Sequence, residues 1–142
     1  MRALTLWQPM AWAISDGTKR IENRPWEPWG VVVGKRIAIH AGMRYHREHA
    51  EQIELRFGVK VPAKGELPQG AIVATAIVCG FVSDNDEDRA TVHHLSPWYS
   101  GPVGWLLADV RKVDPPIPCK GALGLWRIPD EIERELLSRE AA

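Results

Sequence analysis

The pattern of hydrophobic and polar residues along the chain predicts short β-strands separated by few helices. The strongest strand signal is a 13-residue, largely apolar and β-branched run over 70–82. Five further strands are predicted, over 3–6, 19–24, 35–40, 103–110 and 123–128. Helices are predicted over 10–16, over 44–57 and from Pro129 to about 139. Gly17 is expected to end the first helix in a left-handed conformation.

This order of elements favours the α+β class. The helices are too few for a repeating βαβ pattern, so we expect a small mixed β-barrel with peripheral helices. At 142 residues, without an internal repeat or a linker, residues 1–142 are predicted to form a single domain. Its core is expected over about 3–128 and is followed by a C-terminal helix over about 129–139.

Composition excludes disorder, because 45% of the residues are hydrophobic and the formal net charge is zero. The charge is nevertheless polarised along the chain. Residues 1–64 carry 11 Lys and Arg against 6 Asp and Glu, whereas residues 65–142 carry 7 against 12. The basic half could face an anionic partner, or the two halves could pair their charges.

Several classes of protein are disfavoured by what the sequence contains. The apolar run over 70–82 is too short to span a bilayer, and the N-terminus does not resemble a secretory signal. With two cysteines and no such signal, a cytoplasmic protein without membrane contact is predicted. His46-x-x-His49 and His93-His94 lack a matched third ligand, so neither a metal nor a cofactor is predicted.

The segment Gly17-x-Lys19-x-x-Glu22-x-Arg24 concentrates chemistry within eight residues. Arg24 could hold a carboxylate or phosphate, and Glu22 could orient Arg24 or accept a base amino group. Lys19 could act as a base or nucleophile. The alternative is a solvated strand with surface ion pairs. We expect the three side chains to meet in one cleft, because charges withdrawn from water need partners.

This segment resembles the signature G-x-K-x-x-E-x-R of the ASCH family (activating signal cointegrator homology). The resemblance continues through four further segments, namely LTLWQP at 4–9, RIAIHA at 36–41, GPVGW at 101–105 and PCKGALGLW at 118–126. Together these segments cover most of residues 3–128 in order.

The resemblance implies a PUA-like β-barrel with a cleft between the first helix, the signature strand and the barrel. It also implies nucleic-acid binding, while some members of similar fold are amidohydrolases acting on N4-acetylcytidine and others are credited with cleaving single-stranded RNA. The amidohydrolases use a Lys, a Thr three residues later and a more distant Glu. Here Lys19 matches the Lys, Glu22 occupies the Thr position, and Glu66 is the candidate for the distant Glu.

Six further residues are candidates for contacts with a nucleotide: Trp7, Gln8, Trp26, His40, Trp98 and Lys120. The tryptophans could stack on bases, although core packing is their alternative. Gln8 could read a base edge, and Lys120 could contact phosphate unless it is merely an exposed turn residue. His40 could lie at the rim of the cleft or serve only as a structural histidine.

The sequence thus predicts a domain that binds RNA, single-stranded nucleic acid or a modified nucleotide beside the signature strand. The main alternative is a small hydrolase that acts on a modified nucleoside or single-stranded RNA through Lys19 and Glu22. A protein-interaction module built on a tryptophan-rich surface is a third alternative. Convergence of Lys19 and Glu22 to ~3 Å in a closed pocket favours catalysis. An open basic groove favours binding.

Overall fold

A mixed six-stranded sheet forms the centre of the computed structural model, which describes residues 1–84 and 96–141. Its strands are β1 (Arg2–Gln8), β2 (Ile21–Arg24), β3 (Arg36–Tyr45), β4 (Ala71–Ser83), β5 (Val103–Pro118) and β6 (Trp126–Arg127). Their order in the sheet is β2-β5-β4-β3-β1-β6, in which β1 and β3 are parallel and the other neighbours antiparallel. The predicted α+β class and mixed sheet are confirmed.

Three helices flank the sheet within the described residues: α1 (Met10–Ser15), α2 (Arg47–Phe57) and α3 (Asp130–Ala141). The side chain of His46 caps the N-terminus of α2, and Gly58 ends the helix with a φ of 65°. Gly17 does not adopt the left-handed conformation expected for it. It is needed for close packing instead, since a Cβ atom there would lie 2.7 Å from the carbonyl oxygen of Ala13.

Strand β5 continues to Pro118, beyond the predicted end at 110. Its second half can contain prolines because, in the described part of the chain, a neighbouring strand pairs with it on one side only. Prolines at 115, 116 and 118 suggested that the strand stops, since proline cannot donate to a central ladder. Among the described residues, however, β2 pairs only with the first four residues of β5, from Val103 to Leu106. The rest of β5 has a free edge there, where proline is tolerated. In contrast, the strand predicted over 123–128 is reduced to Trp126–Arg127.

The sheet curls so that its two ends approach each other. Arg24 on the edge strand β2 donates through Nη2 to the carbonyl oxygen of Thr5 on β1, at 3.2 Å. Strands β5, β4 and β3 lie between these two strands in the sheet order. Within the described residues, side chains rather than backbone pairing connect β1 to β2, so the sheet is rolled in the PUA-like manner without a closed ladder.

The main core lies inside the curl and is built around Trp105, which is fully buried. Smaller clusters lie under α3, around Leu136, and under α2, around Ile53. No helix in 1–84 or 96–141 is long and apolar enough to cross a membrane. His93-His94 lies outside the described residues. So does the acidic stretch over 84–88, except for its first residue, Asp84.

Candidate functional site

Lys19, Glu22 and Arg24 form one ion-pair network at the start of the signature strand. The ammonium group of Lys19 lies 2.9 Å from Oε1 of Glu22, and Arg24 Nη2 lies 3.2 Å from Oε2 of the same carboxylate. Lys19 is only 2% exposed and Glu22 7%. Both oxygens of one buried carboxylate are thus engaged by two cations, as burial of charges requires.

The local backbone explains how Lys19 reaches Glu22. Alternation along a strand would place these two side chains on opposite faces, but β2 begins only at Ile21. The amide of Lys19 instead donates to the carbonyl oxygen of Ala13 in α1, at 3.1 Å. Lys19 therefore lies in the connection between α1 and β2, and its ammonium group also donates to the carbonyl oxygen of Ile21.

The network lines a cleft of about 300 Å³ between β1, β2, α1 and α2, which we call the main chamber. Its lining comprises Thr5, Leu6, Trp7, Met10, Lys19, Glu22, Asn23, Arg24, His49 and Ser100. Ligand cavities in proteins range from roughly 300 to 1,000 Å³. The main chamber is therefore large enough for one nucleoside-sized group rather than for a duplex.

Trp7 provides an exposed aromatic surface in the lining of the main chamber. Its side chain is 44% exposed, and the guanidinium of Arg44 lies 5.1 Å from the ring centroid. The imidazole of His46 stacks on the indole at 5.8 Å, and His49 stacks on His46 at 3.9 Å. A series of flat groups thus leads from the surface toward Lys19.

A second chamber of about 150 Å³ adjoins the main one and is lined by α2 and the segment around Trp98. Trp98 stacks on Phe57 of α2 with 4.4 Å between ring centroids and an interplanar angle of 17°. Asn23 fixes this segment, because its amide donates to the carbonyl oxygen of Trp98 and accepts from the amides of Ser100 and Gly101.

The sequence analysis assigned no binding role to His49, which lines both chambers. Burial lowers the pKa of its imidazole, and the charges of His46 and Lys19 lower it further against a raising effect of Glu48. The spacing His46-x-x-His49 was the available signal, but it was considered only as a metal site. Within 1–84 and 96–141, no group of three potential ligands is placed to hold a metal ion.

Two buried side-chain polar atoms lack a hydrogen-bond partner in the described part of the chain, namely Arg24 Nε and His49 Nδ1. Both residues line the main chamber. Since native proteins satisfy the great majority of buried polar groups with protein or water, two exceptions in one cleft mark it as suited to a polar ligand.

Solved structures of similar fold cover nearly the whole chain. The crystal structure of ASCH from Zymomonas mobilis aligns with a TM-score of 0.59 at 18% identity, over 96% of this chain and 93% of that one. A serine-to-alanine mutant of the same protein gives 0.58 at 19% identity, over 96% and 94%. A tyrosine-to-phenylalanine mutant gives 0.54 at 17%, over 96% of both chains. The chain has the ASCH fold. No protein-family model matches the sequence, and no curated protein is significantly similar to it.

Within this ASCH fold, two of the predicted contact residues are engaged by other parts of the protein: Gln8, which is fully buried, and Trp26, which is partly buried. Gln8 is fully buried, and its amide donates to the carbonyl oxygen of Pro68 and accepts from the amide of Trp12, so it cannot read a base. Trp26 packs edge-on against Trp105 at 5.0 Å and joins the main core. Among the tryptophans, all of which lie in the described residues, the exposed ones are Trp7 and Trp29, each a little under half exposed.

His40 and Lys120 line another cavity, of about 640 Å³, which shares Thr5 with the main chamber but is not lined by Lys19, Glu22 or Arg24. His40 is 2% exposed, with Nδ1 3.2 Å from Oγ1 of Thr5 and Nε2 2.6 Å from the carbonyl oxygen of Cys119. Both of its nitrogens are thus used within the fold, which supports the structural reading. Glu66 lines neither chamber beside Lys19 and so cannot supply the distant Glu of the amidohydrolases.

Proposed function

We infer that this protein binds one nucleotide of RNA, or a modified nucleotide, in the main chamber. The observation that carries the proposal is the pair of unpartnered buried nitrogens, Arg24 Nε and His49 Nδ1, beside a buried ion-pair network. Nucleotides supply the phosphate oxygens and polar base edges that such nitrogens need. The size of the chamber is consistent with one nucleoside unit.

Each lining residue suits part of a nucleotide. Arg24 keeps a free donor for a phosphate or a base carbonyl oxygen. Glu22 holds Lys19 and Arg24 in place, and as part of the chamber lining it would accept a hydrogen bond from the amino group of a bound base. Trp7 offers a stacking face near the solvent.

The test measures binding of short single-stranded RNA as a function of salt. Arg24→Gln should weaken binding and flatten the log–log salt dependence by about 0.7 for a lost phosphate contact on a single strand. Trp7→Ala should weaken binding by ~1–3 kcal/mol and leave the slope unchanged, because stacking releases no counterions.

Arg134→Gln is the matched control, since it removes the same charge from an exposed position on α3. It should bind as the parent does. If folded Arg24→Gln and Trp7→Ala proteins both bind with parental affinity and slope, the main chamber is not the binding site.

A hydrolase is the second candidate, because Lys19 and Glu22 meet at 2.9 Å in a largely enclosed position. Such contact is the geometry expected of an acid–base pair. Binding remains the first candidate, since the carboxylate charge of Glu22 is already balanced by Lys19 and Arg24. Incubation with N4-acetylcytidine and short single-stranded RNAs, followed by mass spectrometry, separates the two: the hydrolase is established by a product that the parent forms and that Glu22→Gln protein, shown to be folded under the assay conditions, does not form.

A further inference from the structure

The two chambers are direct neighbours. Five residues line both of them: Met10, Lys19, Asn23, His49 and Ser100. The wall shared by the chambers is therefore formed by α1, the signature segment, α2 and the segment held by Asn23. A ligand that occupies the main chamber can extend past Lys19 and His49 into the smaller one.

The junction between the chambers offers hydrogen-bond donors that the protein does not use. An ammonium group has three N–H donors, and Lys19 directs two of them to Ile21 and Glu22. The third has no acceptor among the described residues. His49 Nδ1 is likewise without a partner there, and it donates in the tautomer that carries its proton. Two adjacent donors and a buried cation suit an anionic, oxygen-rich group.

The smaller chamber, at about 150 Å³, has the features of a subsite for the base of a second nucleotide rather than for a whole nucleotide. The stacked rings of Phe57 and Trp98 provide an aromatic wall. Arg56 lies on the same wall, donates to the carbonyl oxygen of Pro97, and has no carboxylate partner in the described part of the chain. Gln52 is exposed beside it and adds amide groups for a base edge.

We propose that the two chambers are adjacent subsites for two consecutive nucleotides, with the phosphodiester that links them held between Lys19 and His49. This inference rests on the proposed function and makes it more specific. The preferred ligand is a dinucleotide segment of single-stranded RNA rather than a free nucleoside.

The experiment compares affinities for the ribonucleoside 5′-monophosphates with those for the complete set of ribodinucleoside monophosphates, by isothermal titration calorimetry. The best dinucleotide should bind at least about tenfold more tightly than either of its mononucleotides, since linkage makes the second contact intramolecular. Arg56→Gln and Gln52→Ala should abolish this advantage and leave mononucleotide affinity unchanged. Leu55→Ala, on the same helix and 89% exposed, should retain it.

The outcomes distinguish this inference from the proposed function. If mononucleotides bind and the dinucleotides show no advantage, or if the advantage survives in both Arg56→Gln and Gln52→Ala, the second subsite is refuted and the main chamber stands. If neither class of ligand binds the folded parent protein, the proposed function itself fails. Trp98→Ala is left as a supplementary variant, because it also removes a stacking contact that holds its segment.

Discussion

Replacing Glu22 by glutamine removes the central charge of the buried network while keeping the shape of the side chain and a hydrogen-bond acceptor. Lys19, 2% exposed, would then remain charged without an anionic partner, and Arg24 would lose its carboxylate. Breaking a buried ion pair from one side typically costs ~3–5 kcal/mol, because the remaining charge stays desolvated. We therefore expect Glu22→Gln to destabilise the fold by about 4 kcal/mol.

Urea denaturation followed by tryptophan fluorescence measures this loss. At an m-value of roughly 2 kcal/mol per molar urea, the midpoint should fall by about 2 M. The matched control is Glu135→Gln, which breaks a half-exposed i,i+4 pair with Arg139 and should cost less than about 0.5 kcal/mol. A loss below about 1 kcal/mol for Glu22→Gln would refute the reasoning, since the network would then behave like a solvated surface pair.

A double replacement separates the stability of this network from its function. The double variant Lys19→Met with Glu22→Leu removes both buried charges of the pair. Arg24 then loses its carboxylate partner, but it is partly exposed and keeps its hydrogen bond to the carbonyl oxygen of Thr5. Apolar replacement of a buried pair is often neutral or stabilising. The double variant should therefore be more stable than Glu22→Gln and yet fail to bind nucleotides.

Two further predictions concern His40 and its neighbours. Burial lowers the pKa of His40 from its usual 6.5, so the unfolded chain binds the proton more readily than the folded one. The stability of the fold should therefore fall as the pH drops below 6.5. A His40→Asn variant should show a shallower decline of melting temperature toward about pH 5. Equal declines in both proteins would contradict this. Gly121→Ala should destabilise by ~1–3 kcal/mol in urea, because its Cβ would lie 2.6 Å from the His40 ring, whereas Gly30→Ala meets no atom within 4 Å and should be near neutral.

The strands that the sequence predicted well are those whose own residues determine them. The apolar run over 70–82 became β4 with little change, since β-branched residues buried on both faces favour a strand in any context. The length of β5 depended instead on its neighbour. Whether prolines at 115, 116 and 118 interrupt a ladder depends on whether β2 extends far enough to need their amides, and that is a property of sheet topology.

The same distinction applies to the site. The signature gave Lys19, Glu22 and Arg24, and the structure brings them together as expected. Gln8 failed because successive side chains of a strand point to opposite faces, so the residue next to exposed Trp7 points into the protein. The LTLWQP segment contains both Trp7 and Gln8, but its sequence did not determine which face of β1 would be buried.

The feature that most strongly marks the cleft belongs to no single segment. Arg24 on β2, His49 on α2 and Lys19 after α1 come from separate parts of the chain, and each has hydrogen-bonding capacity that the described residues do not use. Only the curl that brings β2 against β1 and sets α2 beside them places these donors around one space. An unsatisfied buried donor costs ~1–3 kcal/mol, so a fold selected for stability alone would have paired them. Their convergence suits a ligand that completes the hydrogen bonds, as the two-subsite proposal requires.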